Sequence, residues 1–376
     1  PSLRAEMGLS RAQTGVLIAV VNSGTVLAYL LVRKADQWGR RRALTVTITG
    51  YTIASLLTGL SRDVYTFAAL QLLARVFLIG EWATAMIYAA EEFPAARRGM
   101  VIGVIQACSS LGAIVCAGVV PLLLATPLGW RSVFFVGAIP LTIVAIARRN
   151  LRETARFERA AETRGVARPS LLRLPRSPYC GRMLQLALIW GLTYVCTQNA
   201  VTFWKEFAVN ERGMSDAQVG ASLSLAALAA MPLVFFAGKL LDVVGRRLGA
   251  TLIFTVTSLG VLGSYALESR AALTCGLVLG IFGSSAVLPV LNAYTAELFP
   301  TELRSDAFAW SNNLLGRIGY VLSPLAVGLA ATYVGWGKAV SATAIFPMIA
   351  LALILWLLPE TRGKELEETS RPPQVA

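Results

Sequence analysis

Three charged residues interrupt stretches of sequence that are otherwise apolar. Glu81 lies in RVFLIGEWATAMIYAAEE, Arg75 opens the same stretch, and Arg317 lies in NNLLGRIGYVLSPLAVG. A charge in such surroundings is costly and usually serves a function. On a helix, Glu81, Thr84 and Tyr88 share one face at i, i+3 and i+7. Glu91 marks the end of that stretch, about ten residues or roughly 15 Å beyond Glu81, which sets Glu81 near the middle of a membrane. A carboxyl there can take up a proton or couple to a substrate, and it can equally be half of a structural ion pair with another helix. Arg75 points to a different face from Glu81, so the two do not pair within one helix. Arg317 shares a face with Asn313, Tyr320 and Pro324. Either arginine can bind a carboxylate substrate or brace helices through backbone carbonyls, and for Arg317 bracing is the favoured reading. Tyr194, Gln198, Asn199 and Trp204, together with Ser285 and Asn292, add polar and aromatic groups on two further apolar stretches. Such residues also act as ordinary interhelical glue.

Other chemistries are excluded by what the chain lacks. It has no histidine, and its five cysteines form no CxxC pair, so neither a metal centre nor a cofactor is expected. Gly238-Lys239 is followed by Leu240 rather than Ser or Thr, so no phosphate-binding loop is present. With no nucleophile–base pair either, the chain does not read as an enzyme.

The elements that must carry these residues follow from composition. The chain is 56% hydrophobic and 15% charged, with mean hydropathy +0.63. Soluble domains carry about a quarter charged residues. The apolar runs are about 20 residues long, the length needed to cross roughly 30 Å of hydrocarbon. Eleven such spans are expected, near 12–32, 43–60, 65–90, 99–124, 132–148, 183–204, 217–241, 249–267, 271–296, 305–333 and 338–358. Between them, 24 of the 34 Lys and Arg residues fall on one side and 8 on the other when loops alternate. That excess orients the chain, with its basic loops and C-terminus in the cytoplasm of a plasma (inner) membrane. The net charge of +13 is thereby explained by topology, and nucleic acid drops out as a partner. The partners expected are the lipid bilayer, a small-molecule substrate and protons. The basic stretch RRNLRETARFERAAE is expected to form an amphipathic helix on the inner surface.

A duplication organises the spans. Asp36, Gly39, Arg40 and Arg41 recur 206 residues later as Asp242, Gly245, Arg246 and Arg247. Tyr88, Glu91, Phe93, Pro94 and Arg98 recur as Tyr294, Glu297, Phe299, Pro300 and Arg304, and Gly129-Trp130 as Gly335-Trp336, all at the same offset. GLSRAQTG at Gly8 matches GMSDAQVG at Gly213. One offset held across separate loops means two parallel halves, a known transporter plan. The expected division is an N-terminal bundle over 1–150, a basic linker over 151–182, a C-terminal six-helix bundle over 183–358 and a tail over 359–376. The span at 183–204 has no partner in the first half, so one further helix is expected before Pro1, making the fold twelve helices minus the first.

On these repeated loops the chain resembles the major facilitator superfamily over essentially its full length. Gly238-Lys239-Leu240-Leu241-Asp242-Val243-Val244-Gly245-Arg246-Arg247 is similar to its hallmark loop motif, and Val32 to Arg42 repeats it with Val32 in place of the usual Gly. Leu151 to Phe157 and Pro359-Glu360-Thr361-Arg362-Gly363 are similar to the PESPR and PETKG signatures of sugar-porter-like members, the first with Arg152 and Ala155 in place of prolines. The resemblance implies an all-α, two-bundle membrane fold and alternating access. The repeated loops suggest a cytoplasmic gate, Arg304 among its members, in which Asp36 and Asp242 accept bonds from a neighbouring helix start and Arg40, Arg41, Arg246 and Arg247 pair with Glu91 and Glu297. The resemblance implies that such pairs fasten the cytoplasmic side in outward-open states. The bland alternative is surface charge that anchors topology and stabilises little. The function expected is movement of a small polar metabolite, an organic anion with a proton being the leading form. A sugar, a drug, or a non-transporting sensor of the same fold are the alternatives.

Overall fold

Two long helices in this chain end where glycine, Gly39 or Gly245, turns the backbone rather than where apolar sequence stops. The computed structural model describes residues 2–92, 108, 111–112, 115–116, 118–148, 151–153, 174–300, 303 and 306–362, with backbone alone at 2, 30, 32–37, 86, 87, 89–92, 235, 236, 238, 239 and 242. The chain packs as two compact units, one of Ser2–Leu9 with Leu17–Arg168, the other of Pro1 and Ser10–Val16 with Pro169–Ala376. Among the described residues, seven helical segments are long and apolar enough to cross a membrane.

The first five helices are α1 (Ser2–Glu6), α2 (Arg11–Trp38), α3 (Arg40–Gly59), α4 (Val64–Glu92) and α5 (Trp130–Ala147). After them come α6 (Cys180–Thr202), a short α7 (Trp204–Asn210), α8 (Asp216–Val244), α9 (Arg246–Ala266) and α10 (Arg270–Glu297). A nine-residue π-helix, Phe308–Gly316, leads into α11 (Arg317–Ala342), which breaks at Gly335, and α12 (Ile345–Leu357) closes the order. The span expected at 99–124 and the amphipathic helix after Arg148 lie mostly outside the described residues.

Several helices run a few residues past the expected spans. Hydropathy falls at the first arginine, but backbone hydrogen bonding continues until a residue leaves helical φ. Gly39 does so at φ 91°, ψ 156° and Gly245 at φ 93°, ψ 168°, a region that side chains with a Cβ rarely enter. α3 and α9 therefore both start on the arginine that follows this glycine. The duplication is thus visible in helix starts: Arg40 and Arg246, Val64 and Arg270, each 206 apart.

Small residues set the packing inside the second unit. A Cβ on Gly276 would sit 2.5 Å from the carbonyl carbon of Gly263, and one on Gly260 would sit 2.6 Å from that of Leu279. α9 and α10 cross backbone to backbone as a result, the close approach that membrane helices use in place of a hydrophobic drive. Beneath them lies an apolar core containing Leu186, Ile189 and Trp190 of α6, Ile253, Val287 and Ile354.

Candidate substrate site and loop joints

The repeated loops build two matching joints. Glu153 accepts backbone N–H bonds from Arg40 (2.8 Å) and Arg41 (3.2 Å), the first residues of α3. Glu360 does the same for Arg246 (2.8 Å) and Arg247 (2.9 Å) at the start of α9. A helix start carries free N–H groups and a positive dipole end, so a carboxylate laid across it satisfies both. The second joint extends further: Arg246 Nη2 pairs with Glu297 Oε1 at 2.9 Å, and Thr361 Oγ1 donates to Glu297 Oε2 at 2.5 Å. Arg247 donates to the Leu355 carbonyl. The side chains of Asp36, Glu91 and Asp242, and all of Arg304, lie outside the described residues. Tyr88 belongs to the first joint, where its hydroxyl donates to the Arg152 carbonyl at 3.1 Å.

Burial tends to raise the Glu360 carboxyl, but N–H groups of Arg247, Arg246, Arg362 and Thr361 outweigh it and hold the pKa below the ordinary 4.5. A depressed carboxylate pKa stabilises the fold above its unfolded value, and that contribution is lost as pH falls through the folded one. The thermal midpoint of the purified protein is therefore expected to fall as pH drops below 4.5. In Glu360→Gln this acid-dependent loss is expected to shrink, and the midpoint at neutral pH to fall by the equivalent of about 0.5–2 kcal/mol, the usual cost of a weakened cap.

Glu81 is the best-held of the residues expected at a substrate site. Its carboxylate pairs with Arg148, directly after the end of α5, and accepts a 2.5 Å bond from Thr47 Oγ1 on α3. The repeat explains what is unusual here. At offset 206 Thr47 and Glu81 correspond to Ile253 and Val287, 1% and 0% exposed in the second unit's apolar core. The offset becomes 207 at Glu153 and Glu360, so Arg148 corresponds to Ile354 or its neighbour Leu355. One half fills this place with hydrocarbon; the other fills it with an ion pair and a hydroxyl. Thr84, one turn on, is buried and bonds the Gly80 carbonyl at 2.7 Å.

A second constellation forms in the other unit around Arg317. α6 and α11 cross on glycine: Gly191 stands 3.7 Å below the Gly316 carbonyl when given a Cβ, and a Cβ on Gly319 would overlap the Gly191 backbone. That approach lays Tyr194, one turn beyond Gly191, over the Arg317 guanidinium. The guanidinium carbon lies 4.8 Å from the Tyr194 ring centre and 4.9 Å from that of Tyr320. Trp190 stacks on Tyr194 at 5.4 Å and donates its Nε1–H to Thr295 at 3.2 Å, which fixes the ring. Arg317 makes no hydrogen bond to a carboxylate or carbonyl among the described residues, and its Nε is buried without an acceptor.

The π-helix alters which asparagine joins this group. Helical spacing puts Asn313 on the face of Arg317, but π geometry repeats at i, i+5. It is Asn312, five residues before Arg317, that meets Tyr194, accepting its hydroxyl proton at 2.8 Å through Oδ1. The remaining expected residues do not gather here. Arg75 is half-buried beside Gly24 of α2 and has no carboxylate partner among the described residues. Asn199 is buried and turns its Nδ2 back to the Val195 carbonyl at 2.6 Å. Gln198 and Ser285 are half-buried, Asn292 is exposed, and Trp204 is buried with its Nε1 donating to the Ser264 carbonyl. Thr47, Arg148 and Asn312 are residues that sequence reasoning passed over, and Glu153 and Glu360 entered it only as members of the two signature motifs, without a role in the joints. The two glutamates carried a signal, since each stands at the same distance from its Gly-Arg-Arg loop to within one residue.

The comparisons agree with this architecture. The profile of the Major Facilitator Superfamily matches residues 1–263 and 186–375. The chain is 29% identical to the probable 4-methylmuconolactone transporter of Cupriavidus pinatubonensis, over 98% of this chain and 86% of that one. It is 26% identical to the gallate transporter of Pseudomonas putida, over 94% and 85%. A bacterial homolog of the human lysosomal transporter Spinster, solved inward-facing and occupied, shares the fold at TM-score 0.76 and 15% identity, covering 94% of this chain and 90% of that one. With two duplicated bundles, glycine-stopped loop motifs and a profile that spans nearly every residue, this chain belongs to the Major Facilitator Superfamily of membrane transporters.

Proposed function

We propose that this secondary transporter carries a small organic acid as its anion and that Arg317 holds the carboxylate. One observation carries the reading. Arg317 is a permanent charge in a membrane-crossing helix, without a carboxylate or carbonyl partner among the described residues, and held between two aromatic rings. A guanidinium in that state has its fork free for a carboxylate, which it binds bidentately. Gallate and 4-methylmuconolactone, the compounds that name two relatives, both carry a carboxylate on an unsaturated frame. The tail motif that resembles sugar porters is occupied with capping α9, which leaves it no bearing on a sugar.

A proton is the natural co-substrate for uptake across the inner membrane, with the C-terminus in the cytoplasm. Bringing a monoanion in against an inside-negative potential costs about 2.3 kcal/mol per 100 mV. A proton moved with it removes that cost. Glu81 takes part in such coupling only if its pair with Arg148 opens.

The test is uptake of labelled aromatic and dienoic acids into proteoliposomes, with and without an inward proton gradient. Acids are expected to accumulate with the gradient and to compete with one another, while their amides do neither. Uptake of a sugar but of no acid would overturn the reading.

A further inference from the structure

The geometry points to Asn312 as a specificity residue that reads a hydrogen-bond acceptor on the substrate's frame, with Tyr194 positioning it. This rests on the binding of a carboxylate by Arg317. The Tyr194 hydroxyl donates to Asn312 Oδ1, which commits the amide oxygen and turns the Nδ2 donors away from the ring. Nothing among the described residues accepts from Nδ2. Tyr194 is itself rigid, stacked on Trp190, which Thr295 anchors, and set edge-on to Tyr320 at 5.6 Å.

The cluster therefore presents two sets of donors: the Arg317 fork over the face of the Tyr194 ring and the Asn312 amide at the ring's hydroxyl end. A carboxylate on the outer edge of the Arg317 fork directs the rest of a small unsaturated acid toward the hydroxyl end of Tyr194, where Asn312 stands. An acceptor atom there, such as a ring nitrogen or carbonyl oxygen, meets Nδ2. A carbon at the same place leaves those donors without a partner, which a dry site penalises. Sites that bond a polar substrate atom reject analogues lacking it more sharply than apolar pockets reject a methylene. The π-helix is what makes this reading available, because α-helical spacing would turn Asn313 and not Asn312 toward the ring.

The experiment is competition between nicotinate, with a ring nitrogen, and benzoate, with a C–H, for uptake by proteoliposomes holding the full chain. The ordinary protein is expected to prefer nicotinate by roughly tenfold, about one hydrogen bond's worth. Asn312→Ala is expected to bring the ratio near one while benzoate uptake persists. Tyr194→Phe keeps the amide but frees it to turn, so the ratio is expected to fall there too, and this variant serves if Asn312→Ala fails to fold. An unchanged ratio in both variants, with Arg317→Ala abolishing uptake of both acids, would overturn the role of Asn312 and leave the carboxylate reading standing. Undiminished uptake of both acids by Arg317→Ala would overturn the two together.

Discussion

Glu81→Val on its own is expected to destabilise the protein by about 3–5 kcal/mol, and adding Arg148→Leu is expected to restore most of that loss. The asymmetry comes from desolvation. Arg148 and Glu81 are 25% and 13% exposed at the side chain, so each is held in a medium that disfavours a lone charge. Removing the carboxylate strands the guanidinium, and Thr47 loses its acceptor at the same time. Removing both charges leaves an apolar site like the one the other half already uses, with Val287 and Ile253 as the template. Thermal midpoints of the two single variants and the double variant form a cycle that isolates the pairing energy. A double variant as unstable as Glu81→Val would show that packing, not charge pairing, holds this place. The same proteins speak to coupling: proton-driven uptake that survives in the double variant assigns the coupling acid elsewhere.

Arg317→Ala is expected to lower uptake of organic acids by roughly 30-fold to more than 1,000-fold, with little change in stability. Truncating one partner of a desolvated charge pair costs about 2–5 kcal/mol, and each 1.4 kcal/mol is tenfold. Stability responds differently from the Glu81 case because Arg317 has no carboxylate among the described residues to leave stranded, and its Nε already lacks an acceptor. Arg317→Lys keeps the charge but loses the planar fork and the stacking between Tyr194 and Tyr320. It is expected to fall between the two, with a raised KM as its main defect. Uptake kinetics beside thermal midpoints separate these outcomes. A large loss of stability in Arg317→Ala with normal residual transport would make this arginine a brace and not a substrate ligand.

Much of the molecule was determined by the sequence alone because it depends on one-dimensional quantities. Apolar run length against bilayer thickness forces helices, and the constant offset between Gly39-Arg40-Arg41 and Gly245-Arg246-Arg247 repeats one loop motif in both halves. The positive-φ glycines then fix where α3 and α9 begin. What a side chain meets across helices is a different kind of fact. Glu81 and Arg148 are 67 residues apart, and nothing in either local pattern announces their pairing. The joints use backbone N–H groups, which every residue but proline has, so the arginine side chains drew attention to a contact their backbones make. The asparagine beside Tyr194 turned on a change of helical period, from i, i+4 to i, i+5, that composition does not encode. Only the tertiary structure decided these three, because each depends on helix rotation and approach; at Tyr194 that approach is the glycine crossing of Gly191 with Gly319.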